Sequence, residues 1–289
     1  MRVETADGEF IECVVAGEDN VGVVVAIAPA MGVRAGFYTA VATALAAQGT
    51  TAVTFDLRGN GGHSVRRTDG RDWGYEEMVV NDFDAVVVRL RQRFAGRRII
   101  VLGHSLGGQL ACLYAARFPG QLDGLILVAS CMVDWRGWRG LRGFQRLLQY
   151  FNIAMITSLL GYFPGERLGF AGNEPRGQMR DWVASAFTGK YRPRGAAVDY
   201  EAALATVSIP VFALTFAADP YAPASACEKL LAKMPNAEVR HEDVGERGVR
   251  TSVAAHFNWA KTQGVGDLMT EPLVMPLVQR WLAESFTPS

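Results

Sequence analysis

Ile99-Ile100-Val101-Leu102-Gly103-His104-Ser105-Leu106-Gly107-Gly108 is the stretch on which the rest of the chain turns. Its first four residues are β-branched or leucine, the composition of a strand covered on both faces. From Leu106 the spacing becomes helical through Gln109, Leu110, Leu113, Tyr114 and Arg117, and Pro119 stops it. A serine sits at the break, flanked by glycines two residues before and two after. A serine held on so tight a strand-to-helix turn has strained backbone angles, and those two neighbours come too close to the rest of the turn to carry side chains. Its hydroxyl stands clear of the sheet, and the helix N-terminus and the Leu106 N–H face any negative charge that forms beside it. Ser105 is therefore a candidate nucleophile. The strand before and the helix after argue against an ordinary flexible loop.

Composition narrows the classes open to the chain. Its 289 residues are 49% hydrophobic, enough for one large α/β domain with an insertion. Lys plus Arg and Asp plus Glu number 29 each, so no global field favours nucleic acid or a membrane surface. The longest apolar run, Val21 to Val33, is too short to span a bilayer and contains Pro29. The N-terminus does not have the pattern of a signal peptide. Cys13, Cys112, Cys131 and Cys227 show no paired spacing, as expected of reduced core residues in a cytoplasmic protein.

Around the central stretch, Glu9 to Ala16 and Val21 to Ala28 read as strands joined in an opening hairpin. A helix is predicted from about Phe37 to Gln48 and a strand over Thr51 to Phe55. The latter runs into Asp56-Leu57-Arg58-Gly59-Asn60-Gly61-Gly62-His63-Ser64, a glycine-rich loop without the third glycine or the helix of a nucleotide fingerprint. A long helix follows from about Tyr75 to Phe94, with Asn81, Asp82 and Asp84 marking a polar side. Gly124 to Val128 is a further buried strand. This alternation predicts a mostly parallel sheet covered on both faces. It stops over residues 131–206, which with Ser130 hold 12 of the 29 aromatics and more basic than acidic residues. Leu147 to Leu160 has helix-like apolar density, so this region is expected to be an inserted helical lid over Ser105. Most of its aromatics should pack it onto the core and the remainder line an apolar pocket, with Arg136, Arg139, Arg142 and Arg146 as a basic rim. Residues 1–130 and 207–289 form the core. There the alternation resumes with a strand over Ile209 to Phe216, a helix over Ala222 to Met234, a strand over Glu238 to Val244 and a closing helix over Glu271 to Phe286.

A serine hydroxyl needs a base, and the base needs a carboxylate to fix its tautomer. Four histidines are available. His104 lies inside the turn and points away from the serine by strand alternation, while His241 sits in an edge-like strand. His256 lies in a loop between the last strand and the last helix, where an imidazole can reach the C-terminal edge of the sheet. It is the preferred base, with His63 the alternative. Asp219 follows the strand ending at Phe216 and is the candidate carboxylate; its other reading is a turn aspartate ahead of Pro220. The Met31 N–H, in the Pro29-Ala30-Met31-Gly32 loop, is the candidate second oxyanion donor beside Leu106.

These residues carry a family resemblance. The chain resembles an α/β-hydrolase, and within that superfamily the predicted hydrolases of the serine aminopeptidase S33 and lysophospholipase-like group. The matching pieces are Pro29-Ala30-Met31-Gly32-Val33, Asp56-Leu57-Arg58-Gly59, Gly103 to Gly108, Gly161-Tyr162-Phe163-Pro164-Gly165, Asp219-x-x-Ala222-Pro223 and His256-Phe257, spread over nearly the whole length. The order Ser105, Asp219, His256 is the order of that superfamily. Two departures stand out: Pro29-Ala30 replaces the usual His-Gly of the oxyanion loop, and Ala255 replaces the glycine that often precedes the base. The resemblance implies an α/β-hydrolase fold, a mostly parallel eight-stranded sheet flanked by helices.

The expected function is a serine hydrolase of carboxylic esters, or of thioesters, lactones or amides, acting on a small, partly apolar acyl substrate through an acyl-enzyme. No cofactor and no metal are implied, since no His-Glu-x-x-His or Cys-x-x-Cys occurs. An acyltransferase using the same three residues is the alternative, and a non-catalytic ligand-binding protein on this fold a further one.

Overall fold

The computed structural model describes residues 1–245, 252–261, 263–265, 268–270 and 272–286. Eight strands form one sheet: β1 (Arg2–Glu4), β2 (Phe10–Ala16), β3 (Val24–Ala28), β4 (Thr51–Phe55), β5 (Ile99–His104), β6 (Gly124–Val128), β7 (Val211–Phe216) and β8 (Val239–Val244). Their spatial order is β1-β2-β4-β3-β5-β6-β7-β8. β1 and β2 are antiparallel to their neighbours, and the other pairings are parallel. Every residue of β3 to β7 is buried, as strands of a parallel sheet covered on both faces must be. β8 is an edge strand and only partly covered.

The predicted opening hairpin does not form. β2 and β3 are separated by β4, to which both pair, and β2 forms its hairpin with β1 instead. The reason lies in the side chains. β3 is apolar at every position and belongs in the middle of the sheet, whereas β2 alternates buried and exposed residues and suits the rim.

Helices α1 (Thr39–Ala47) and α2 (residues 75–93, with a π-helical stretch at Met78–Phe83) precede β5, and α3 (Leu106–Arg117) follows it. The polar side expected of α2 is partly internal. Asp82 is fully buried, where it accepts from Arg58 Nε at 2.9 Å and from His63 Nε2 at 3.1 Å. A buried carboxylate is stable only when so paired.

Residues 131–206 add no strand to the main sheet. They carry α4 (Leu141–Leu160), a two-stranded ribbon of Tyr162–Pro164 and Asn173–Pro175, α5 (Arg176–Thr188) and α6 (Tyr200–Leu204). α7 (Ala224–Leu231) follows β7, then come the single turn α8 (Ala255–Asn258) and the closing helix α9 (Met275–Phe286). Glu271, the predicted start of the closing helix, lies outside the described residues. Among the described residues no helix is long and apolar enough to cross a membrane.

Register brings the strand ends together. Ala28 pairs with Gly103, His104 with Val128, and Val128 with Leu214, so the chain leaves β3, β5, β6 and β7 along one edge. At that edge a Cβ on Gly107 would stand 2.3 Å from Ala28 O and 2.7 Å from Pro29 O, and one on Gly103 would stand 2.4 Å from Gly108 Cα. These obstacles are backbone and cannot rotate away. Gly107→Ala should therefore cost about 2 kcal/mol or more. Gly36→Ala, where no heavy atom lies within 4 Å of the new Cβ, should stay within about 0.5 kcal/mol of the parent. Chemical denaturation of the two variants checks this, and equal midpoints would contradict it.

Candidate active site

Ser105 occupies the N-cap of α3 with φ 51° and ψ −113°, a conformation rare for any residue with a side chain. It is held there by its N–H donating to Val128 O at 3.0 Å and by Ser105 O accepting from Gly108 N at 3.1 Å. Ser105, Leu106, Met31 and His256 line one cavity of about 110 Å³, walled by Trp138, Tyr150, Phe170 and Trp182 from residues 131–206 and by Tyr221 from the β7–α7 connection. The Leu106 and Met31 N–H groups have no hydrogen-bond partner among the described residues. Gly32, at φ +70°, lies against the 171–172 segment, since a Cβ there would stand 2.2 Å from Gly172 N.

The two oxygens of Asp219 have separate partners. Oδ1 closes the turn after β7 by accepting from Tyr221 N at 2.8 Å and Ala222 N at 3.2 Å. Oδ2 lies 2.7 Å from His256 Nδ1. Both side chains are buried. With Nδ1 donating to the carboxylate, Nε2 of His256 is the nitrogen left free to take a proton. His256 sits on the single turn of α8 rather than in the expected loop.

The other histidines are occupied elsewhere. His63 accepts from Val65 N at Nδ1 and gives Nε2 to buried Asp82. His241 meets Thr215 Oγ1 at 3.0 Å across the β7–β8 pair. The Asp56 to Ser64 loop contributes no residue to the cavity wall.

His104 does more than fill the core. Its Nε2 lies 3.0 Å from the backbone carbonyl of His256, so Nε2 must carry the proton and donate. Nδ1 then accepts from the Tyr38 hydroxyl at 2.7 Å, and Tyr38 in turn accepts from Ala30 N at 2.9 Å. One buried chain thus ties the Met31 loop, the Ser105 turn and the backbone of the candidate base. Sequence reading placed His104 facing away from Ser105 and missed this link. Nothing in the local pattern around Tyr38 announces a partner 66 residues away. Burial, reinforced by neighbouring His256, holds His104 well below the ordinary histidine range, so it stays neutral as the chain of bonds requires.

A family model described as serine aminopeptidase, S33, matches residues 19–166, just over half of the chain. The chain belongs to this family. Its fold is the α/β-hydrolase fold of esterases and lipases. The chain is 34% identical over 104 residues to a monoacylglycerol lipase of Mycolicibacterium smegmatis, 36% of each chain, so it spans about a third of the length of that curated relative. A solved structure of DcsB with its substrate analogue superposes with a TM-score of 0.68 at 14% identity, over 100% of this chain and 99% of that one. Est1E from Butyrivibrio proteoclasticus with ferulic acid bound superposes at 0.62 and 16% identity, over 99% and 98%.

The S33-family chain should show the cost of its neutral His104 as pH falls. Below about pH 6.5, the ordinary histidine value, unfolded His104 takes up a proton that folded His104 does not. Protons then bind the unfolded state in excess, so unfolding free energy drops as pH falls, by at most about 1.4 kcal/mol per pH unit from this group. Stability measured by urea unfolding between pH 7.5 and 5 should therefore fall more steeply for the parent than for His104→Gln. Parallel curves would contradict the neutral, buried assignment.

Proposed function

We propose that the protein is a serine hydrolase of carboxylic esters with a small, partly apolar acyl group. The observation carrying this reading is the convergence, on one largely apolar cavity, of strained Ser105, an imidazole already bonded to a buried carboxylate, and two N–H groups without a partner among the described residues. Relatives bearing the names monoacylglycerol lipase, monoglyceride lipase and probable esterase support it.

Ser105 Oγ attacks the acyl carbon as His256 Nε2 takes its proton. The carbonyl oxygen becomes an oxyanion held by the Met31 and Leu106 N–H groups, with the α3 N-terminus behind it. The Asp219 carboxylate fixes the imidazole tautomer and stabilises the imidazolium. Collapse expels the alcohol, which takes the proton from His256, and leaves an acyl-Ser105. Water then repeats the sequence and releases the acid. Residues 131–206 serve as a lid: their aromatics wall the cavity and restrict water, and the 170–172 segment rests on the oxyanion loop. Four buried free cysteines fit a cytoplasmic protein.

Steady-state kinetics on short-chain 4-nitrophenyl esters test the roles. Ser105→Ala and His256→Ala should each lower kcat by at least about 10³-fold, and Asp219→Asn somewhat less. Ser105→Ala should melt no lower than the parent, since alanine keeps the Cβ and the turn at φ 51° and only the hydroxyl at the cavity wall is lost. His241→Ala should keep nearly full activity. Turnover by Ser105→Ala close to that of the parent would remove the nucleophile and with it this reading.

A further inference from the structure

Among the described residues lining the Ser105 cavity, Arg146 is the single one of the Lys, Arg, Asp and Glu types. It projects from α4, in a stretch where no Asp or Glu occurs between Asp134 and Glu166. Its guanidinium is fixed without any carboxylate partner among the described residues. Nη2 donates to Pro220 O at 2.6 Å and Nη1 to Gln149 Oε1 at 2.7 Å. Trp138 and Tyr221 lie against it, their ring centroids 5.3 Å and 5.2 Å from Cζ. A guanidinium has five N–H donors, so three remain after these two bonds. The other arginines of the expected basic rim are placed differently. Arg136 is paired to Asp134 at 2.8 Å, Arg139 is exposed, and Arg142, also exposed, lines a neighbouring surface pocket with Arg146 and not the Ser105 cavity. Among the described residues, the cation on the wall of the Ser105 cavity is Arg146.

We infer that Arg146 is an anion-binding element of the substrate cavity, and that the preferred ester carries a carboxylate or phosphate at the end remote from the scissile bond. This rests on the ester-hydrolase reading above and extends it to a substrate class. Half-buried in the cavity wall, the guanidinium gives up part of its hydration, and an oxyanion is a partner that restores it. The positioning is already done: the carbonyl and the amide hold the fork, and the two rings hold it in place. The donors left over suit the paired oxygens of a carboxylate or phosphate. Arg146 is thus a specificity residue, with no part in the bond-breaking steps. The competing role is purely mechanical, a tie from α4 to the Pro220 turn, which Trp138 Nε1 also reaches at 2.9 Å. A tie would affect stability alike for every substrate and leave selectivity unmoved.

The test compares matched esters differing in one terminal group. 4-Nitrophenyl valerate is set against mono(4-nitrophenyl) glutarate and its phosphonate counterpart, which separates carboxylate from phosphate. Ethyl butyrate against the butyrate ester of glycolate places the charge on the alcohol side. In at least one pair the wild-type kcat/KM should favour the charged member by roughly 10-fold or more, and this advantage should shrink with added salt. The charged-to-neutral ratio should collapse toward one in Arg146→Gln and stay unchanged in Arg139→Gln. Equal kcat/KM for both members of every pair, or a ratio that survives Arg146→Gln, overturns the inference; the wild-type comparison stands even if the variant fails to fold. Should no ester of any kind be turned over, the hydrolase reading is what fails. Calorimetric titration of glutarate into wild type then decides the anion site separately, with binding abolished by Arg146→Gln expected and no binding to wild type overturning it.

Discussion

The site depends on a backbone contact. α3 approaches the end of β3 so closely at Gly107 that a single methyl group would strike the carbonyls of Ala28 and Pro29. This approach sets the N-terminus of α3 beside the Pro29 to Gly32 loop, which is why the Leu106 and Met31 N–H groups meet in one cavity. It also explains the strain at Ser105. The chain must pass from a strand buried on both faces into a helix pressed against its neighbour within one residue, and that residue takes the positive φ. Such strain persists only where the surroundings over-determine it. Here the Val128 carbonyl, the glycine contacts and an α3 buried from Leu106 to Ala116 do so.

The second constraint is polar. From Ala30 through Tyr38 and His104 to the carbonyl of His256, hydrogen bonds inside the core link the three loops that must stay in register. Asp219 adds the fourth loop through its bond to the His256 ring. Buried polar chains are costly unless every member is satisfied, and each ring nitrogen of His104 has a partner. The arrangement orients His256 from both ends: its ring by a carboxylate, its backbone by an imidazole.

How much of this was legible in the sequence follows from how local each feature is. The turn around Ser105 is encoded within ten residues, by a β-branched run, two spaced glycines and a change of period. β4 and β6 are short apolar runs bounded by turns, and Thr51 to Phe55 and Gly124 to Val128 fall where the pattern puts them. Strand adjacency is not local. β2 and β3 follow one another and still lie apart, because burial on two faces draws β3 inward past β4. Asp82 looks like a surface residue by type, and only the approach of Arg58 and His63 from another loop makes its burial possible. The Tyr38–His104 bond and the hold of the Pro220 carbonyl on Arg146 belong to the same class: each is a relation between distant segments, invisible to spacing and periodicity.

The nucleophilic assignment of Ser105 is tested most directly by exposing the intact protein to a fluorophosphonate and locating the adduct by mass spectrometry of its peptides. A single adduct on the peptide containing Ser105, formed in the parent and lost in His256→Ala, is the predicted result. No adduct, or one on a different residue with Ser105 unmodified, would contradict it.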